Sequence, residues 1–142
     1  MEDGSRPRKK YSKTELDLRT PTMTKPISRH QHMMTDYAFG PLIALAPNLL
    51  GFDKQASIPT LLCRYVGGGI LAATSVTRAE GALLPIIPWK LHLAGDVAGG
   101  LFALGAPWLL GFSNNAAARN TFLGMGAIIL TATSLSQTEE MP

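Results

Sequence analysis

Cysteine is nearly missing from this chain, Cys63 being the only one. A single cysteine excludes an internal disulfide and any paired-cysteine metal or redox motif. Inside an apolar segment its expected role is that of a small buried hydrophobe. The patterns of common catalytic sites are missing too: there is no GxSxG, no HExxH and no phosphate-cradling P-loop, and the acids do not cluster. The chain is therefore read as a non-enzyme, with no cofactor and no metal assigned. A nucleic-acid partner is not expected either.

Charge is scarce beyond the first 35 residues. Of 13 Lys and Arg, eight fall there (Arg6, Arg8, Lys9, Lys10, Lys13, Arg19, Lys25, Arg29), against four of the ten acids. The stretches 37–52, 97–118 and 120–138 hold no charge at all. A soluble amphipathic helix breaks such runs with a solvated face every three or four residues. A spanning helix needs roughly 20 mostly apolar residues, and four segments come close: Met33–Phe52, Pro59–Thr77, Leu91–Phe112 and Ala116–Leu135. Four helices apolar on all sides cannot cover one another in a chain this short. The expected class is an all-α membrane protein with four transmembrane helices and an extended basic N-terminal tail. A cleavable leader is not expected, because the basic stretch is long, carries Pro7, Pro21 and Pro26, and precedes the first apolar run by about 30 residues.

What the sequence does contain is a repeat. His32-Met-Met-Thr-Asp36-Tyr-Ala-Phe-Gly40 aligns with His92-Leu-Ala-Gly-Asp96-Val-Ala-Gly-Gly100, and Ala46-Pro-Asn-Leu-Leu-Gly-Phe52 with Ala106-Pro-Trp-Leu-Leu-Gly-Phe112, at a constant offset of 60. Eleven of the 25 positions from 32 to 56 are identical at that offset, Ala56–Ala116 included. The following helices agree more loosely, as at Ala72–Ala132 and Thr74–Ser134. Each unit reads as helix, Pro-x-Leu-Leu-Gly-Phe corner, helix. Pro47 and Pro107 free carbonyls four residues back, near the helix ends. Gly51 and Gly111 suit the turn. Ser57, and Asn114 or Asn115, are the expected N-caps of the second helices. The predicted organisation is a tail over 1–31, a first hairpin over 32–78, an interfacial connector over 79–91, a second hairpin over 92–136 and a short end over 137–142. Two spans per unit make this a parallel repeat. The bias of Lys and Arg puts both termini in the cytoplasm.

The motif Ala106-Pro107-Trp108-Leu-Leu-Gly-Phe112, preceded by Lys90-Leu-His92 and Asp96, resembles the SPW-repeat family of bacterial membrane proteins. That family is named for a Ser-Pro-Trp triplet, and the resemblance implies two membrane helices per repeat. It covers residues 32–136. The chain departs from the triplet at Ala46 and Ala106, which replace Ser in both copies, and at Asn48, which replaces Trp in the first. The resemblance implies architecture and no particular chemistry.

His32–Asp36 and His92–Asp96 are the only repeated ionisable constellation, each an i, i+4 pair on one helix face. Ionisable groups at membrane depth point to function, here proton carriage, a metal, or a haem or pigment held by His32 and His92. Position at a helix entry points instead to anchoring ion pairs, favoured by the helix dipole, and that is the expectation adopted. Arg64 and Arg119 are expected to snorkel to the surface. Gly95-x3-Gly99-x3-Ala103 and Gly67-Gly68-Gly69 are expected helix-packing positions, because small residues let helices approach closely. The larger Thr35, Phe39 and Ile43 of the first copy break that equivalence. Trp89, Lys90 and Trp108 are the expected interface anchors.

The function expected from these features is a non-catalytic accessory or scaffolding subunit of a larger bacterial inner-membrane complex, of respiratory or photosynthetic type. Its partners would be membrane lipids and other membrane protein subunits, reached through the helices and the basic tail. A small transporter or channel is the alternative. Haem or pigment binding through His32 and His92 is the second.

Overall fold

The computed structural model describes residues 25–54 and 57–141, so the basic segment before Lys25, with its expected lipid and subunit contacts, lies outside the described residues. Four helices follow in order: α1 (Arg29–Leu49), α2 (Ser57–Val76), α3 (Trp89–Leu109) and α4 (Ala116–Leu135). Among the described residues there is no strand, only two isolated parallel bridges. α1 packs closely along α2 and α3 along α4; the two hairpins meet more sparingly along α1–α4 and α2–α3. No helix among the described residues is long and apolar enough, by its mean hydropathy, to cross a membrane.

The helix ends follow from local chemistry. Ser28 opens α1 with a capping box: its hydroxyl accepts from the Gln31 backbone amide at 3.1 Å, and the Gln31 side-chain Oε1 accepts from the Ser28 backbone amide at 2.9 Å. The first unit thus begins upstream of His32. Asn115 caps α4 through the Ala118 amide at 3.0 Å, whereas Ser57 is the first residue inside α2 and not its cap. α1 and α3 end alike. Leu50 and Leu110 donate to Ala46 and Ala106, Gly51 and Gly111 take left-handed φ of 72° and 74°, and Phe52 and Phe112 donate back to the Pro47 and Pro107 carbonyls. That reversal tucks both phenylalanines into one apolar core with Ile43, Cys63, Phe122 and Met125.

The second helices correspond at an offset of 59, not 60, since α2 begins at Ser57 and α4 at Ala116. At 59, Gly67 matches Gly126, Ile70 Ile129, Leu71 Leu130, Ala73 Ala132, Thr74 Thr133 and Ser75 Ser134. This replaces the pairing of Ala72 with Ala132 and of Thr74 with Ser134. The corner loop of the second copy is one residue shorter, and identities that an ungapped comparison hides return once it is allowed for. Gly67 packs on the Gly40 carbonyl, and a Cβ on Gly126 would stand 2.7 Å from the Gly100 carbonyl oxygen. The close approach is therefore made by Gly40, Gly67, Gly100 and Gly126. Gly68, Gly69, Gly95 and Gly99 face open space, because each further helical residue turns about 100° away from the inward one. Ala103 is buried as a packing position.

The hairpins also close on each other through their ends. Ile27 bridges to Ser136 as Ile87 bridges to Thr77. Each segment entering a first helix is thus bound to the tail of the other copy's second helix.

Candidate functional site

The two His–Asp pairs meet at the end of the bundle opposite the phenylalanine corners. His32 and His92 lie about one turn into α1 and α3, and each projects across the hairpin boundary. His32 Nε2 stands 3.1 Å from Asp96 Oδ2, and His92 Nε2 stands 3.1 Å from Asp36 Oδ2. The contacts within each helix are longer, at 3.5 Å. The expected i, i+4 ion pairs are therefore one closed ring of four, with its shorter sides between the copies. Both imidazoles are almost fully buried, at 3% and 6% exposure. Burying a charge is costly unless it is paired, and this ring pairs every member.

The hydroxyls around the ring were not legible as site residues. Thr74 Oγ1 donates to Asp36 at 3.1 Å, and Thr133 Oγ1 to Asp96 at 3.4 Å. His32 Nδ1 contacts Ser136 Oγ at 2.7 Å, and His92 Nδ1 contacts Thr77 Oγ1 at 2.9 Å. The sequence signal for Thr74 and Thr133 is their match at offset 59.

Trp89 is the larger surprise. Read as an interface anchor, it is completely buried. Its indole stacks on His92 with centroids 5.3 Å apart and stands edge-on to His32 at 5.2 Å, while Nε1 donates to the Gln137 carbonyl at 2.8 Å. A tryptophan beside proline and lysine looks interfacial in sequence; here Pro88 starts α3 and turns the ring inward over the site. Met33, Ala79 and Leu93 complete the apolar cover. Lys90 and Trp108 lie at the surface.

Position 29 of the first copy matches 89 of the second, and it carries a different solution. Arg29 donates through Nε and Nη2 to both oxygens of Glu80, at 2.9 and 2.6 Å. This fork holds the Glu80 carboxyl at about 2. In the second copy Glu140 caps α3 instead, accepting from the Trp89 and Lys90 amides at 3.0 Å each. Those backbone donors lower its pKa.

At the opposite end, Arg64 reaches the Ala44 carbonyl and the Asn48 side chain. It is tied to the neighbouring helix and does not snorkel freely. Asn48 stands where the second copy has Trp108, so the departure from the triplet supplies an acceptor for a guanidinium the second copy lacks. Arg119 donates to the Ser113 carbonyl at 3.0 Å.

The ring leaves no gap for a macrocycle between the two imidazoles, because the carboxylates fill the space a porphyrin would need. A cavity of about 30 Å³ opens beside it, lined by Asp36, Phe39, Asp96, Ile129 and Thr133 among others. Two grooves flank the hairpin seam. One, of about 190 Å³, is lined by Gly69, Gly95, Gly99 and Phe102; its counterpart across the bundle, of about 260 Å³, by Phe39, Leu42 and Ile128.

No curated protein and no solved structure matches the chain significantly. The model of the SPW repeat domain matches residues 30–136, which include all four helices but for the first residue of α1, together with the whole His–Asp ring. The chain belongs to the SPW repeat domain family.

Proposed function

We propose that this chain is an integral protein of a bacterial inner membrane, acting there as a non-catalytic scaffolding subunit beside larger membrane proteins. The observation that carries the membrane part is an inverted distribution of polarity. His32, Thr74, Thr77, His92, Thr133 and Ser136 are buried, while Leu42, Leu45, Leu61, Leu101 and Ile128 on the four helices are all more than 50% exposed. Exposed apolar area on this scale marks a surface made for lipid or protein. Averaged hydropathy undercounts it, because glycine, alanine, threonine and histidine on the inward faces dilute the leucines outside. Helices of 20–21 residues are about 30 Å long, the thickness of a hydrocarbon core. Membership of the SPW repeat domain family is consistent with this placement.

The scaffolding part rests on the asymmetry of the flanking grooves. The glycine-lined groove on the α2–α3 seam admits close helix approach, while its counterpart, though no smaller, is walled by the bulky side chains of Phe39, Leu42 and Ile128. A transmembrane helix of a partner subunit suits the first and not the second. The His–Asp ring closes the hairpins into one body that presents this groove. Lys25 and Glu140 belong to the ring's end of the bundle, and the positive-inside bias puts that end in the cytoplasm.

Two measurements test the reading. The chain should stay in membranes washed with alkaline carbonate; release into the wash refutes the membrane placement. Purified in mild detergent, it should bring stoichiometric partners, and Gly99→Phe should release them. A partner-free monomer refutes the scaffolding role.

A further inference from the structure

We propose that His32, His92 and Asp96 ligate one divalent transition-metal ion of the zinc class through the two Nε2 atoms and a carboxylate oxygen, with Asp36 as the neighbouring balancing charge and water completing the shell.

The first argument is the proton inventory around the imidazoles. Ser136 Oγ lies 2.7 Å from the Ala132 carbonyl, and Thr77 Oγ1 lies 2.6 Å from the Ala73 carbonyl. A carbonyl oxygen has nothing to donate, so each hydroxyl spends its only proton there. Each must then accept from the imidazole, which puts a proton on Nδ1 of both His32 and His92. With that proton in place, each Nε2 either donates a second proton to its carboxylate at 3.1 Å or turns a lone pair toward it. In the second state four electron-rich atoms face one another, and a cation at their centre takes the place of the two Nε2 protons.

The spacing fits one. Ligand atoms 2.0–2.2 Å from a metal stand about 2.8–3.1 Å apart at right angles and about 3.3–3.6 Å apart at tetrahedral angles. The four sides of the ring measure 3.1, 3.5, 3.1 and 3.5 Å. The ligand atoms of His32, His92 and Asp96 all lie within 4.8 Å of one another. Charge fits as well, since two carboxylates and two neutral imidazoles exactly balance one divalent ion, which makes the buried centre neutral overall. The mixed nitrogen and oxygen set selects a borderline ion over calcium or magnesium. Hydroxyl partners on every ligand supply the outer shell that fixes tautomer and orientation, as metal-binding histidines require. The cavity of about 30 Å³ beside Asp36 and Asp96 gives an ion and one water a way in.

The test uses the full chain, purified in mild detergent, stripped with chelator and titrated with Zn2+ and Co2+. One equivalent should bind per chain, and Co2+ should give the visible absorption of a four-coordinate centre. The double variant Asp36→Asn/Asp96→Asn should lose the equivalent. Ser136→Ala, which keeps every ligand, should weaken binding about 10–100-fold with unchanged helical circular dichroism. Should the double variant fail to fold, wild type and Ser136→Ala still decide. Wild-type protein that takes up neither ion overturns the proposal, as does full binding by a folded double variant. Nitrogen chemical shifts showing Nε2 protonated in both histidines with metal present overturn it as well, and identify the ring as two imidazolium–carboxylate pairs. The outcome is independent of scaffolding, because a partner-free monomer can hold the ion and a partnered chain can lack it.

Discussion

At the scale of single residues, equivalent positions in the two copies do different work. Arg29 and Trp89 are equivalent, yet the first copy joins Arg29 to Glu80 by a guanidinium fork, while the second caps its helix with Glu140 and covers the His–Asp ring with an indole. The Glu80 carboxyl, held at about 2 by Arg29, is ionised in the fold at pH values where the unfolded chain, with an ordinary value near 4.3, is already protonated. Its contribution is therefore complete above that ordinary value and is lost as pH falls through about 2. Because Glu80 is nearly half exposed, the contribution is only about 0.2–1 kcal/mol. Glu80→Gln should lower stability by that amount at pH 7 and flatten its fall between pH 4.5 and 2, as read by chemical denaturation across pH. Trp89→Ala should be far worse, costing about 3–5 kcal/mol. It should also move the His92 ring resonances in an NMR spectrum. An unshifted spectrum would mean the indole does not cover the ring.

At the scale of elements, the glycines separate packing from periodicity. α1 and α2 touch backbone to backbone where Gly40 meets Gly67, and α3 and α4 where Gly100 meets Gly126. Gly126→Ala should force the α3–α4 pair apart and cost about 1–3 kcal/mol. Gly68→Ala, one residue past the corresponding contact and open on that side, should be neutral or stabilising by about 0.4–1 kcal/mol through the unfolded chain. Equal melting temperatures for the two variants would show that the close approach does not limit stability. The sequence marked Gly67 together with Gly68 and Gly69, because three consecutive glycines carry no phase. Which of them faces inward depends on where α2 begins, and that is set by a corner loop one residue longer than its counterpart.

At the scale of the whole molecule, the copies are closed on each other and not merely adjacent. Ile27 lies between Leu135 and Gln137 as Ile87 lies against Val76 and Arg78, and Gln137 also donates to the Lys25 carbonyl at 3.2 Å. The segment before α1 and the segment after α4 thus form the same joint as the connector between the hairpins. A circular permutant that joins residue 142 to residue 25 through a short flexible linker and opens between Leu83 and Leu84 should fold with unchanged helix content. It should also retain the His–Asp ring. Loss of cooperative unfolding in that permutant would show that the connector holds more than its bridge to Thr77.

The sequence by itself determined the elements and their order. Proline, glycine and capping side chains act over a few residues, so both corners, the Asn115 cap and the four helices are legible in the chain, as is the repeat that makes it an SPW repeat protein. It also singled out the four ionisable residues, since no other pair of ionisable residues recurs with its internal spacing kept. Only the tertiary structure decided how they pair. The i, i+4 rule places His32 beside Asp36, but the shorter contact is to Asp96, because two helices crossing at a pseudo-twofold bring the other copy's carboxylate closer than the next turn of the same helix. The burial of Trp89 and the recruitment of Thr77 and Ser136 were decided there too, since these contacts join residues 15 to 104 positions apart, and the two hydroxyl contacts cross from one hairpin to the other.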